Sequence, residues 1–298
     1  MGLNYLNSFE ALRCIVNIYG ILVNETPLRI GKGAGGLGEV DLPIEKDPRG
    51  IPYIPGSSIK GCIRSLSESL ARASGERVCD PLSVKSLCNV ATAAIKQATN
   101  LSIKGKSLNE IKEKISGLFK HEGFESEANI LTSTTFKDVN ELISKIISDY
   151  GPCIICRIFG NTELASHIYI YDSYPTEDVI NKVTALSRTR VAIDRFRNAS
   201  RSGALFTYEY VPQGYRWNFR MRIINIDIVR GSGKEVDLLR SVIKYMTTHG
   251  LIVGSMKTVG HGLLRLDPDN TFIERCFVEG LKIVCETPIK LSEVIKEW

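Results

Sequence analysis

Long apolar runs are missing from the start of this 298-residue chain, whose first twenty residues carry Glu10 and Arg13 among the hydrophobic ones. That pattern excludes a secretory signal and a membrane span there and leads us to expect a cytoplasmic protein. Strong charge asymmetry is missing too. The 38 Lys and Arg against 33 Asp and Glu leave a net charge of +5, which permits a nucleic-acid partner without requiring one. Histidine is sparse, at four residues, and none stands out as a general acid. What is plentiful is ordinary globular composition, 43% hydrophobic and 24% charged, which argues against extensive disorder. Eight cysteines without an export signal favour reduced thiols or metal ligands over a disulfide framework. The length admits either one large core with an insertion or two domains.

Two glycine motifs lack what a nucleotide site needs. Gly33 to Gly38 has the letters of a dinucleotide fingerprint, but a helix must open directly after it, and Pro43 and Pro48 follow instead. Gly254 to Thr258 has no glycine beside Lys257 and comes after a helix, so it is not a triphosphate loop.

Alternation from Leu12 to Val23 reads as a strand. The twenty-eight residues from Arg29 to Gly56 then hold seven glycines and four prolines, too many for a helix or central strand, and a long irregular loop is usually functional. Ile59, Ile63, Leu66 and Leu70 share one helical face, capped by Ser57 or Ser58. From Ala73 onward helical patterns take over, notably Leu108, Ile111, Ile115 and Leu118, which marks residues 73–156 as a helical insertion. After Phe159 the strand signal returns at His167 to Tyr171. Ala204 to Val211 with Arg216 to Val229 reads as a hairpin, with an apolar phase shift after Ile223 that suggests a bulge. Val236, Leu239, Ile243 and Met246 mark a second amphipathic helix, and a last strand falls near Phe277 to Cys285. This order fits an α+β core of ferredoxin-like type, formed by residues 1–72 and 157–298.

Several clusters carry candidate chemistry. Arg188, Arg190, Arg195, Arg197 and Arg201 lie within fourteen residues against the single acid Asp194, interleaved with Phe196, Asn198 and serines, the mixture that grips phosphates and stacks on bases. Lys32, Lys257 and His261 sit in glycine-rich loops that let a backbone approach a phosphate closely. Ser57, Ser58, Lys60 and Arg64 open a helix whose free N–H groups suit an anion, although plain capping is the competing role. Glu39, Asp41, Glu45 and Asp47 could hold a divalent cation or take a proton from a ribose hydroxyl; otherwise they are solvated loop acids. Cys79 and Cys88 with Cys153 and Cys156 bracket the insertion and are compatible with a structural tetrahedral zinc, with His121 as a substitute ligand. Buried reduced cysteines are the alternative.

The stretches GLGEVDLPIEKDPRGIPYIPGSSIKGCIRS, CRIFGN, RVAIDRFRNASRSGALF and GSMKTVGHG together resemble the backbone subunits of type III CRISPR effector complexes, in the RAMP superfamily. The resemblance spans residues 12–72 and 156–267. It implies an RRM-like core that binds guide RNA and target RNA beside other subunits, including copies of itself or close paralogues. It also implies a thumb-like hairpin at about residues 188–205. Such subunits cleave target RNA with a divalent metal, Mg²⁺ or Mn²⁺, through an acid just before the short proline of the first loop, which here is Asp41. Some relatives bind RNA without cutting it, and a stand-alone repeat-processing ribonuclease is a third reading. The insertion is longer and more helical than the resemblance leads one to expect.

Overall fold

Alternation of Val16, Ile18 and Leu22 gives the first strand one apolar face, and the rest of the molecule is organised by what covers it. The structure is a computed structural model and describes residues 11–32, 40–80 and 86–298. In chain order, β1 (Cys14–Asn24) is followed by α1 (Gly56–Ala73). Then come α2 (Leu87–Ile103), α3 (Leu108–His121), α4 (Glu125–Ser133), α5 (Val139–Asp149) and α6 (Ile154–Phe159). β2 (Ile168–Ile170), β3 (Leu186–Asp194), β4 (Ala199–Tyr210) and β5 (Arg216–Ile224) precede α7 (Lys234–Thr248). β6 (Leu251–Ile252), β7 (Leu263–Glu279), β8 (Lys282–Cys285), β9 (Ile289–Lys290) and α8 (Leu291–Val294) complete the chain.

The main sheet runs β2-β5-β1-β7-β6, with β8 and β9 also on β7. β1 lies antiparallel between β5 and β7, and β2 antiparallel to β5. With α1 after β1 and α7 after β5, this is the ferredoxin-like arrangement the sequence order implied. α1 and α7 bury Ile59, Ile63, Leu239 and Val242 with the sheet residues Ile18, Trp217 and Met221. Asn24, fully buried at the end of β1, accepts from the Tyr215 amide at 3.0 Å and the Trp217 indole at 3.1 Å and donates to the Pro212 carbonyl at 2.7 Å. A polar side chain in the core is thereby satisfied and locks the turn into β5.

α2 to α5 hold a separate apolar core of Ala91, Ile95, Ile111, Ile115, Phe119 and Leu142, among others. Ser107 and Glu110 form a reciprocal cap at the start of α3. α6 returns the chain to the main core through Ile155, Ile158 and Phe159.

Four expectations change. β4 pairs with β3 in a two-stranded sheet of its own and not with β5. Val211 exchanges backbone hydrogen bonds with Leu28, and Gly214 N–H donates to the Asn24 carbonyl, so the chain passes from one sheet to the other around Pro212. The apolar phase shift after Ile223 is the end of β5: Asn225 turns left-handed at φ 59°, and its side chain accepts from the Arg13 and Cys14 amides. The bulge lies in β7 instead, where the register with β1 slips between Tyr19 and Ile21. A Cβ at Gly20 would stand 2.2 Å from the Thr271 hydroxyl, so only glycine fits opposite that bulge. Finally, the last strand is a hairpin. β7 continues to Glu279 and β8 returns, making Cys276 and Cys285 register partners joined by a disulfide, whereas the remaining six cysteines are free thiols.

Candidate nucleic-acid interface

The proline- and glycine-rich stretch after β1 is irregular but tied down at its described positions. Ile44 and Ile54 insert into the main core, and Gly31 bridges Ile44. Leu42 makes a parallel bridge to Tyr208 of β4, which sets Asp41 beside the root of the β3–β4 hairpin. There the Asp41 carboxylate accepts a 2.7 Å hydrogen bond from the Thr207 amide, while its side chain stays exposed. The other acids of the stretch are engaged in structure. Glu45 accepts from the Tyr53 hydroxyl, and Asp47 closes a turn with the Arg49 and Ile51 amides and the Arg49 guanidinium. Those bonds hold the Asp47 carboxyl below the usual range against the opposing effect of desolvation. Glu39, and the fingerprint-like Gly33 to Gly38, lie outside the described residues. Lys32 is exposed, its amide donating to the Pro43 carbonyl, so it sits on the same strap as Asp41.

The hairpin projects without a core of its own. Val191, Ile193 and Leu205 are exposed, and Phe196 at the tip is 103% exposed. Asp194 is no counter-charge to the arginines: its carboxylate accepts from the Phe196 and Arg197 amides and shapes the tip, with Asn198 left-handed at φ 48°. Arg195, Arg197 and Arg201 are exposed there. Arg188 and Arg190 instead fold back over Tyr210 and Tyr208, each 5.2 Å from the ring centroid.

His261 lies beneath those two tyrosines, 4% exposed, edge-on to both rings. Burial lowers its pKa first, and Arg190, Arg188 and Arg29 lower it further, which keeps the ring neutral at pH 7. The Tyr208 hydroxyl, His261 Nε2 and Arg29 Nε are buried with no hydrogen-bond partner among the described residues. The sequence reading missed Arg29, Tyr208 and Tyr210; the period-two run Phe206, Tyr208, Tyr210 was the signal available.

The late glycine loop serves the protein backbone more than a phosphate. A Cβ at Gly254 would meet the Arg29 carbonyl at 2.2 Å, and Ser255 N–H donates to that same carbonyl. Lys257 is exposed on the side facing Cys62 and Ser65, apart from His261 in the same loop.

The start of α1 also departs from expectation. No serine side chain caps it; Pro55 is the cap position, and the Gly56 amide donates to the Asp172 carboxylate at 2.8 Å. A carboxylate therefore already fills the anion position expected for Ser57 and Ser58. Lys60 donates to the Ser166 hydroxyl and the Ile168 carbonyl, and desolvation depresses its pKa. Arg64 bonds Glu68 and the Gly160 carbonyl. These two cations fasten α1 to the segment before β2.

Cys79, Cys88, Cys153 and Cys156 converge, all four sulfurs within 4.8 Å of one another. Cys79 and Cys156 are 3.2 Å apart, and Cys79 and Cys153 3.8 Å. Thiolates around zinc at about 2.3 Å lie about 3.8 Å from each other in a tetrahedron, so the set fits that ion. Cys153 is pulled far below a normal thiol by hydrogen bonding from Cys156, then from Cys79 and Cys88. His121 is not part of it, being exposed and paired with Glu122. The cluster ties α2 and the segment after α1 to α6. Among the described residues, no comparable group of acids surrounds Asp41.

The family model of the RAMP superfamily matches residues 22–265. The match runs from the end of β1 through both loops, the hairpin and the cysteine cluster. This chain belongs to the RAMP superfamily. Membership makes it a CRISPR-associated RNA-binding protein, of a superfamily that contains nucleases and many non-catalytic members. No curated protein matches the chain. No helix among the described residues is long and apolar enough to cross a membrane.

Proposed function

We propose that this RAMP protein is a guide-RNA-binding backbone subunit of a type III CRISPR effector complex in the cytoplasm, and that it cleaves target RNA through Asp41. The observation that carries this reading is the pairing of an exposed carboxylate with the root of a projecting arginine-bearing hairpin. A hairpin with bare apolar residues and no core is suited to wedge between two strands, and the linkage it distorts would lie beside its root. There a ribose 2′-hydroxyl can attack the adjacent phosphorus in line as the bond from phosphorus to the 5′-oxygen breaks, leaving a 2′,3′-cyclic phosphate and a 5′-hydroxyl whose proton comes from water. The Thr207 amide fixes the orientation of Asp41, which is free on its exposed side to take the hydroxyl proton or to help hold Mg²⁺ or Mn²⁺. One carboxylate is a thin ligand set, so RNA phosphates and water would supply the rest. Such an ion would offset the charge developing on the phosphate.

The four-thiol cluster is proposed as a structural zinc site that fastens the helical insertion, residues 73–156, to the core formed by 1–72 and 157–298. Elemental analysis checks this: purified protein without stoichiometric metal ends the zinc reading.

A second reading, a non-catalytic scaffold with the same RNA surface, is favoured by the absence of a second acid or a histidine hydrogen-bonded to Asp41 among the described residues. Asp41→Ala in the assembled complex separates the two. The nuclease reading expects cleavage to fall by about 10²–10⁴-fold with both RNAs still held. Undiminished cleavage refutes it.

A further inference from the structure

Each edge of β4 has a partner. β3 runs along one, with Thr189 opposite Thr207 and Ser187 opposite Glu209. The segment around Leu42 meets the other in parallel: the Leu42 amide donates to the Thr207 carbonyl at 3.2 Å, and the Glu209 amide donates to the Leu42 carbonyl at 3.0 Å. A longer parallel ladder would hand the Thr207 amide to a carbonyl of that segment and the Ile44 amide to the Glu209 carbonyl. Carboxylates take both places. The Thr207 amide donates to Asp41 at 2.7 Å, and the Ile44 amide donates to Glu209 at 3.1 Å. An acid from each segment thus closes one end of the bridge.

The two acids differ in how firmly they are held. The other oxygen of Glu209 accepts from the Lys46 ammonium at 2.9 Å, so one side chain grips residues 44 and 46 together. Burial pushes the Glu209 carboxyl up, but the bonds from Lys46 and Ile44 outweigh it and hold the group below the usual range, ionised at pH 7. Just beyond, Ile44 enters the main core and the Glu45 amide donates to the Ile30 carbonyl at 2.7 Å. Glu209 therefore stands where the strap leaves the hairpin for the body of the protein. Pro43, in between, has no N–H to add. Asp41 is exposed and held by the bond to Thr207, so its carboxylate is oriented only as well as the strap that carries it.

We propose that Glu209 is a positioning residue for target-RNA cleavage: without touching RNA, it locks the register of residues 41–46 on β4, so that Asp41 meets the Thr207 amide and keeps its other oxygen for the reaction. The inference rests on the cleavage reading above. Without the Glu209 carboxylate the Ile44 amide loses its acceptor and Lys46 its counter-charge. The downstream end of the bridge then opens, and Asp41 shifts against the hairpin root. A misplacement of about 1 Å in a reacting group is enough to cost on the order of 10²-fold in rate.

The test uses the assembled complex with its guide and single-turnover cleavage of a complementary target RNA, which reads rate and target affinity separately. Glu209→Ala should lower the rate on the order of 10²-fold and leave the affinity unchanged. Glu209→Gln keeps an acceptor for the Ile44 amide and loses the ion pair, as Lys46→Met also does. Both should cleave at one common rate between those of the wild type and Glu209→Ala. Because Glu209 acts through Asp41, adding Glu209→Ala to Asp41→Ala should lower the residual rate no further, whereas a folding defect would show in both backgrounds. A further loss in the Asp41→Ala background overturns the positioning role. So does a Glu209→Ala complex that cleaves at the wild-type rate while Asp41→Ala is inactive, and the cleavage reading then stands. Weakened target affinity at an unchanged rate would put Glu209 in RNA binding and overturn it too. If the alanine variant does not assemble, Glu209→Gln and Lys46→Met decide, and wild-type rates from both sink the proposal. If Asp41→Ala itself cleaves undiminished, the cleavage reading fails and this inference with it.

Discussion

The helical insertion and the β3–β4 hairpin both leave the main sheet as excursions, and each carries a phenylalanine that shows how differently they are built. Phe119 is completely buried among Ile111, Ile115 and Leu131, whereas Phe196 stands fully in solvent at the hairpin tip. The insertion has its own apolar core, its own helix caps and a cysteine cluster where α2 meets α6 and the segment after α1. The hairpin has a backbone ladder, two cation–π contacts at its root and exposed side chains over its outer half. A two-stranded ribbon of that kind is marginal alone. One excursion is complete by itself; the other leaves its outer side chains bare, and the proposal above gives that surface to RNA.

The largest effect should come from cutting the link proposed to fasten the insertion to the core. On the proposed zinc site, Cys153→Ser removes a buried ligand and prolonged chelation removes the ion, and either is expected to cost more than about 4 kcal/mol, as losses of a metal site do. Proteolysis should then strike between residues 74 and 153 first; a melting profile identical to the wild type would show that the thiols hold nothing. Next in size, Phe119→Ala should cost about 3–5 kcal/mol through the cavity it leaves. RNA affinity should be untouched once the protein is folded, and a loss of binding at full folding would mean the insertion is not separate.

The hairpin should answer the opposite way. Replacing Arg195, Arg197 and Arg201 by alanine is expected to leave stability within about 0.5 kcal/mol, since all three are exposed. Binding to single-stranded RNA should weaken, and the slope of log K against log salt should flatten by about 2 for three lost phosphate contacts. An unchanged slope would remove these arginines from the interface.

How far the sequence could be read divides along the same line. The helices of the insertion, both core helices and β1 announce themselves because burial on one face leaves a periodic trace, as in Ile111, Ile115 and Phe119. The arginine arm and the four cysteines were legible because unusual residues cluster. Partners set by the folding of distant segments were not. Nothing near Gly56 says that Asp172 will occupy the helix start, and nothing local to Lys60 names Ser166. The pairing of Ala204 to Val211 with Arg216 to Val229 was a misreading, although the family resemblance had implied a hairpin at about 188–205; the two segments are neighbours in sequence, while the decisive contacts, from Asn24 and Leu28, come from nearly two hundred residues away. His261 was picked out for its loop, yet its surroundings come from β3, β4 and Arg29.

The smallest effect concerns acid. His261 at the hairpin root and His167, whose Nδ1 donates to the Ile224 carbonyl at 2.6 Å, are both buried and both held neutral, with desolvation as the leading cause. Each therefore takes up a proton more readily in the unfolded chain, near the ordinary 6.5, than in the folded one. Stability is fully present above that value and falls as the pH drops below it, by no more than about 1.4 kcal/mol per pH unit for each ring. The insertion holds only the exposed His121, so acid should loosen the sheet and the hairpin root while leaving α2 to α5 protected. Hydrogen exchange at pH 7.5 and pH 5.5 reads this directly, with Thr207 and Tyr208 amides opening at the lower pH. His261→Gln, which cannot be protonated, should remove the part of the acid response that falls on the hairpin. If the α3 amides open together with those of β4, the two excursions melt as one unit and the contrast between them fails.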